Sequence, residues 1–296
     1  MKKPIFQGSG VAIVTPFTHD TVDLDTLGRL IDFQLENHTD AIIICGTTGE
    51  AATMTYGERM RAIEFCVEHV GGRVPVIAGT GSNSTQNAIS MSLDAQRAGA
   101  DALLIVTPYY NKATQEGLIR HYYAIADAVS SPIILYNVPS RTGVSITPET
   151  CAKLSEHPQI TGVKEASGNL GNIQNIRNLC PEDFAIWSGN DDEVVPICAL
   201  GGSGVISVVA NILPAQMHKL AQLCLENDFS SAGKLQLQLK SICDAMFCEV
   251  NPIPVKTALS LMGWDVGALR LPLCPPNAQH LKQIQTALAS FHLLPQ

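Results

Sequence analysis

Lys164 stands in the stretch ITGVKEASGN, Ile160 to Asn169, directly after Gly162 and Val163, which sit inside an apolar, β-prone run. An unpaired ammonium is costly to bury, so a lysine in a sheet-forming run demands a reason. One reason is chemical. Desolvation disfavours the charged form of a lysine, and a neutral amine in an apolar interior can attack a ketone to form an imine. Two plainer readings of the strand pattern stand beside it: a side chain that snorkels to solvent, or one that pairs with Glu165.

The elements that must position this lysine follow a single period. Short β-branched runs, each ending in small or polar residues, begin at Gly10, Ala41, Pro75, Ala102, Pro132, Ile160, Phe184 and Gly204. Their spacing is roughly 20 to 35 residues, the span of a strand, a helix and two short loops. Intervening segments carry helical periodicity, with Leu24, Leu27, Leu30, Ile31 and Leu35 in the first and Met60, Ile63, Val67 and Val70 in the second. Nearly continuous apolar strands alternating with amphipathic helices predict an α/β protein, a (β/α)8 TIM barrel. A doubly wound sheet is the alternative, but neither GxGxxG nor GxxxxGK[ST] occurs. After about Asn227 the β-type runs stop. Stripes at Leu235, Leu239, Ile242 and Met246, then at Leu281, Ile284, Leu288 and Phe291, predict a C-terminal helical extension. The expected division is a catalytic barrel over residues 1–227 and a helical domain over 228–296.

In such a barrel the reacting groups lie at the carboxyl ends of the strands. Reading each run there collects Thr15; Thr47, Thr48 and Glu50; Asn83; Tyr109 and Tyr110; Tyr136, Asn137 and Arg141; Lys164 and Glu165; Asn190 and Asp191; Ile206 and Ser207. The GTTGE turn can aim backbone N–H groups and hydroxyls at a carboxylate, or simply cap a helix. Tyr136 is either a packed aromatic or a proton-transfer group. Arg141 is either a solvated surface charge or a planar fork for a carboxylate.

Composition removes other classes of function. With a net charge of -8 and no basic run, the chain lacks the positive face that nucleic acid or an acidic membrane surface requires. The opening MKKPIFQGSG has no apolar signal-peptide core, and no stretch approaches the length of a membrane span, so a cytoplasmic protein is expected. Nine scattered cysteines form no CxxC pair and read as reduced, mostly buried thiols. The histidines form no HxH or HExxH cluster, and no metal is expected.

The segments GTTGEAAT, TPYYNKATQEG, LYNVPSRTG, GVKEASGN, SGNDD and NPIPVKTAL, in this order and at these spacings, resemble the dihydrodipicolinate synthase family of pyruvate-dependent class I aldolases. The resemblance spans nearly the whole chain. It implies condensation of pyruvate with L-aspartate 4-semialdehyde, on the route to diaminopimelate and lysine, in a homotetramer built as a dimer of dimers. Lys164 would form the imine, without any cofactor. Thr47, Tyr136 and Tyr110 would relay protons, with Tyr110 contributed by a neighbouring subunit. Thr48 and nearby backbone N–H groups would hold the pyruvate carboxylate, Arg141 the semialdehyde carboxylate, and the backbone at Gly189 and Ile206 would line the pocket. The family's inhibitory lysine site, between subunits, uses a glutamate and histidines near Asn87, Tyr56 and Arg59, with Asn83 and Tyr109 also present here. With Asn87 in place of that carboxylate and a cationic Arg59, L-lysine is expected to inhibit weakly or not at all. Two rival functions share the lysine. One is N-acetylneuraminate lyase, against which the SRTG loop and its Arg141 argue; the other is a non-catalytic pyruvate-binding barrel.

Overall fold

A computed structural model describes residues 2–19 and 21–295. Its first strand is β1 (Gly8–Ala12), followed by a small antiparallel hairpin of β2 (Phe17–Thr18) and β3 (Thr21–Val22). The later strands are β4 (Ala41–Ile44), β5 (Val76–Gly79), β6 (Ala102–Val106), β7 (Ile133–Asn137), β8 (Ile160–Glu165), β9 (Ala185–Ser188) and β10 (Gly204–Ser207). Among the described residues β1 and β4 through β10 form a closed barrel, every pair parallel, with β1 sealing the ring between β4 and β10.

Around it run α1 (Leu24–Glu36), α2 (Tyr56–Val70), α3 (Thr85–Arg97), α4 (Gln115–Ala128), the short α5 (Pro139–Thr142), α6 (Pro148–Ser155), α7 (Leu170–Leu179), α8 (Val194–Ala199) and α9 (Pro214–Leu225). Their starts are written locally. Asp23, Ser84, Thr114, Thr147 and Asn169 each accept a hydrogen bond from a first-turn N–H, and Thr55 with Glu58 makes a reciprocal capping box.

Alternation along each strand separates two apolar layers. Val11, Ile42, Ile44, Leu103, Leu135 and Val163 face the helices, whereas Ile43, Ile77, Leu104, Ile134, Trp187 and Ile206 fill the barrel interior. Both faces are buried, which is why the strands read as unbroken apolar runs. β1 begins earlier than its sequence run, at Gly8 instead of Gly10. Gly8 has φ +115°, and a Cβ on it would lie 2.1 Å from Asp40 Oδ2, so this glycine serves a close approach rather than a loop. No helix among the described residues is long and apolar enough to cross a membrane. The nine cysteines are free thiols, mostly buried.

The chain ends in α10 (Phe229–Met246), α11 (Ile253–Leu261) and α12 (Ala278–Ser290). Leu239, Ile242 and Met246 of α10 and Ile284 and Leu288 of α12 are buried, as their stripes predict. α11 escapes pattern reading because it is short and mostly apolar, with only Thr257 and Ser260 marking an outer side: Ile253, Pro254, Val255, Ala258 and Leu259 are all buried. Lys256, also buried on α11, is the tie between this region and the barrel. Its Nζ donates to Glu50 Oε1 at 2.6 Å and to Ala268 O at 3.0 Å, while the Arg270 N–H donates to Glu50 Oε2 at 2.9 Å. The Phe17 ring lies 4.3 Å from the Lys256 ammonium and 4.0 Å from the Arg270 guanidinium. Arg270 also grips Glu58 at 2.5 and 2.9 Å, holding that carboxyl down at about 2.

Removing one member of a buried ion pair strands the other. Lys256→Met is therefore expected to cost about 3–5 kcal/mol in urea unfolding. Adding Glu50→Gln should recover a substantial part of that loss. An unchanged midpoint for Lys256→Met would show that the pair does not anchor the C-terminal region.

Candidate active site

The position of Lys164 is set by an irregularity in its own strand. β8 pairs with β7 through Ile133 and Ile160, then the register jumps so that Ile134 faces Gly162, leaving Thr161 as the extra residue. The Thr161 hydroxyl donates to Ile133 O at 3.2 Å. Beyond the bulge, Lys164 lies level with Tyr136 on β7 and Trp187 on β9. Gly162 makes the floor possible. A Cβ there would sit 2.5 Å from Ala185 O and 2.7 Å from the Trp187 ring, whose indole stacks on Phe6 at 5.1 Å.

Lys164 is 5 % exposed, and its Nζ lies 4.5 Å from the centroid of the Tyr136 ring. That ammonium-sized group makes no hydrogen bond or ion pair with the described residues. The two plainer readings of the lysine thus fail: it does not snorkel, and Glu165 is engaged elsewhere. The Glu165 carboxylate accepts from Asn137 Nδ2 at 2.9 Å and from the Ser167 N–H at 2.7 Å. Burial pushes its carboxyl up from the ordinary value, against those hydrogen bonds. Asp191, fully buried, is likewise committed to the Ser207 hydroxyl at 2.5 Å and to the N–H groups of Val208 and Val209 at 3.0 and 3.1 Å. Burial raises its carboxyl too, opposed by these donors and by the nearby charge of Lys164.

Gly189 and Ile206 flank the lysine. A Cβ on Gly189 would lie 2.6 Å from Ala166 Cβ and 3.1 Å from Lys164 Cε, and its N–H donates to Glu165 O at 2.7 Å. Ile206 packs in the interior cluster with Tyr136 and Trp187. Above them opens a cavity of about 340 Å³ whose lining includes Thr47, Arg59, Tyr109, Tyr136, Arg141 and Asn251. Lys164, Gly189 and Ile206 are not part of that lining; Tyr136 is the side chain that joins the lysine to the cavity.

Thr48 is buried, and its Oγ1 accepts from Asn251 Nδ2 at 3.0 Å. Gly49 packs so closely on β1's exit that a Cβ would lie 3.0 Å from Thr15 Oγ1, and Thr15 in turn donates to Gly49 O at 2.7 Å. Arg141, on α5, donates through Nη2 to Asn251 O at 3.2 Å. Tyr110 is not brought to these groups within one chain. It is 92 % exposed, with φ 76°.

Of the residues named for a regulatory site, Arg59 and Tyr109 line the cavity. Arg59 donates to Gly79 O at 2.7 Å, and its buried Nε has no partner among the described residues. Asn83 donates to Tyr109 O at 3.4 Å, Tyr56 bonds the Asp94 carboxylate, and Asn87 lies exposed in the first turn of α3. Asn251 went unread in the sequence. A lone asparagine before a proline looks like a turn, and its only signal is its place at the head of NPIPVKTAL.

Residues 5–291 match the model of the dihydrodipicolinate synthetase family. The chain belongs to that family. It is 54% identical over 292 residues to the 4-hydroxy-tetrahydrodipicolinate synthase of Thermoanaerobacter sp. (strain X514), covering 98% of each chain. Its structure is similar to crystalline dihydrodipicolinate synthase from Aquifex aeolicus, with TM-score 0.96 and 43% identity over 98% of this chain and 100% of that one. It is also similar to the chloride-inhibited enzyme from Acinetobacter baumannii complexed with pyruvate, with TM-score 0.95 and 42% identity over 97% of this chain and 99% of that one.

The floor beneath Lys164 is open to a direct check on stability. Gly162→Ala must displace Trp187 or the β9 backbone and is expected to cost about 1–3 kcal/mol by overpacking. Gly57→Ala, on α2 with nothing within 4 Å of the added Cβ, should instead stabilise by about 0.5–1 kcal/mol. Equal urea midpoints for the two variants would contradict the packing described under the lysine.

Proposed function

We propose that this family member catalyses the 4-hydroxy-tetrahydrodipicolinate synthase reaction, joining pyruvate to L-aspartate 4-semialdehyde through an imine on Lys164. The observation that carries the assignment is a buried lysine amine with no hydrogen-bond or ion-pair partner among the described residues, set against the face of a tyrosine beside a cavity. The Lys164 amine, in its neutral form, attacks the pyruvate ketone carbon, and loss of water leaves a protonated imine. That cation is the electron sink. A proton leaves the pyruvate methyl group, giving an enamine whose carbon attacks the aldehyde of the second substrate. Attack of the semialdehyde's own amine on the imine carbon then closes the ring and releases Lys164. No external cofactor enters the sequence.

The other groups take roles suited to their positions. Tyr136 and Thr47, both at the cavity wall, move protons between the imine centre and water, with Tyr110 supplied by a neighbouring subunit of a homotetramer, a dimer of dimers. The exposure of Tyr110 suits donation to another chain. Thr48 and adjacent backbone N–H groups receive the pyruvate carboxylate, and Arg141 receives the semialdehyde carboxylate as a planar fork. The backbone at Gly189 and Ile206 borders the imine. A cytoplasmic biosynthetic role is part of the same proposal and is supported by the family membership.

Arg141 separates this reading from N-acetylneuraminate lyase activity, because a guanidinium suits a short carboxylated aldehyde and not a polyhydroxylated sugar. Pyruvate with L-aspartate 4-semialdehyde should turn over, and pyruvate with an N-acetylated aminosugar should not. Arg141→Ala is expected to lower kcat/KM for the aldehyde by about 2–4 kcal/mol while pyruvate still forms its imine. Turnover with the sugar alone would overturn the assignment. Equal loss of imine formation in the variant would make Arg141 a support of the lysine site instead.

A further inference from the structure

We infer that the Asn251 side chain is a positioning residue that turns the Thr48 hydroxyl proton toward the pyruvate carboxylate; this rests on the function proposed above. Asn251 lies between α10 and α11, outside the barrel strands, yet it is 6 % exposed and lines the same cavity as Thr47, Tyr136 and Arg141. Its two hydrogen bonds reach two different anchor residues. The side-chain amide donates to Thr48 Oγ1 at 3.0 Å, and the backbone carbonyl accepts from Arg141 Nη2 at 3.2 Å.

A threonine hydroxyl has one hydrogen to give and lone pairs to receive. Because Asn251 spends its own amide hydrogen on this bond, the Thr48 hydrogen is not consumed by it and remains available for an anionic oxygen. A donor at the oxygen also polarises the O–H bond, strengthening the hydrogen bond that the hydroxyl gives. The direction of the pair is therefore functional: amide to hydroxyl, hydroxyl to carboxylate. The orientation is held from behind. Lys256 and Arg270 fasten the flanking segment to Glu50, which follows Thr48 in the same turn. The Asn251 Oδ1 atom is buried without a partner among the described residues, so nothing else claims the far side of the amide.

Asn251→Asp tests the direction of the bond. A carboxylate can only accept, so it would take the Thr48 hydrogen and repel the substrate's own charge. The pyruvate KM should rise about tenfold or more above that of Asn251→Ala, which removes the donor without reversing it. In both variants the aldehyde KM should stay within about twofold, because Arg141 bonds the main-chain carbonyl, and kcat at saturating pyruvate should stay within about fivefold. In a Thr48→Val background Asn251→Ala should change pyruvate KM by less than about twofold, and Asn251→Asp should keep only the part of its effect that comes from direct charge repulsion. If Asn251→Asp fails to fold, the cycle of Asn251→Ala with Thr48→Val decides alone: non-additive effects on pyruvate KM support the coupling and additive effects overturn it.

The inference also falls if both substrates' KM values rise together, or if Asn251→Asp is no worse than Asn251→Ala, the outcome of the opposite amide orientation. Borohydride trapping of pyruvate by the unsubstituted protein keeps this separate from the function itself. A trapped imine with an unmoved pyruvate KM in the variants refutes only the role of Asn251, whereas no trapped imine refutes the reaction.

Discussion

The site depends on an amine kept inside a barrel with no bonded carboxylate among the described residues. Two lysines of this chain are buried and treated in opposite ways. Lys256 is matched by Glu50 at 2.6 Å and fixed by a second bond to Ala268, whereas Lys164 meets an aromatic face and no acceptor among the described residues. A buried cation with a bonded carboxylate is a structural strut. A buried amine without a hydrogen-bonded carboxylate is left free to meet a ketone. Glu165, next to Lys164 in the chain, and Asp191, which feels its charge, each accept hydrogen bonds from other donors.

From that constraint the surroundings follow. Glycine at position 162 admits Trp187 beneath the lysine, and glycine at 189 leaves its Cε unobstructed. The bulge at Thr161 brings Lys164 level with Tyr136, so the amine and the phenol ring arrive together. The C-terminal region is the other half of the design. Through Lys256, Arg270 and Asn251 it braces the turn that carries Thr47 and Thr48 and the helix that carries Arg141. A barrel alone would present these groups on loops; the added segment ties two of those loops to one another.

Much of this was legible in the sequence, and the exceptions have physical causes. Strand ends could be read because a β-branched run stops where chemistry begins, and the residues gathered there include Thr47, Tyr136, Arg141 and Lys164. The start of β1 could not, since Gly8 looks like a loop residue until Asp40 is seen against it. α11 is short and mostly apolar, so its buried residues form no distinct helical stripe. Glu165, next to Lys164 on the same strand, points to the opposite face, and only the register shows that its partner is Asn137. Contacts such as Asn251 with Thr48 join residues about two hundred positions apart and leave no local pattern. Tyr110 stands apart, 92 % exposed and away from the other groups of the site within one chain.

The most direct measurement is peptide mapping by mass spectrometry after the protein is mixed with pyruvate and reduced with borohydride. The account requires the reduced pyruvyl adduct on the peptide that contains Lys164, with Lys256 and the surface lysines unmodified, and no adduct in Lys164→Ala. An adduct on a different lysine, or none at all, would contradict the claim that the unpaired amine in the barrel is the nucleophile.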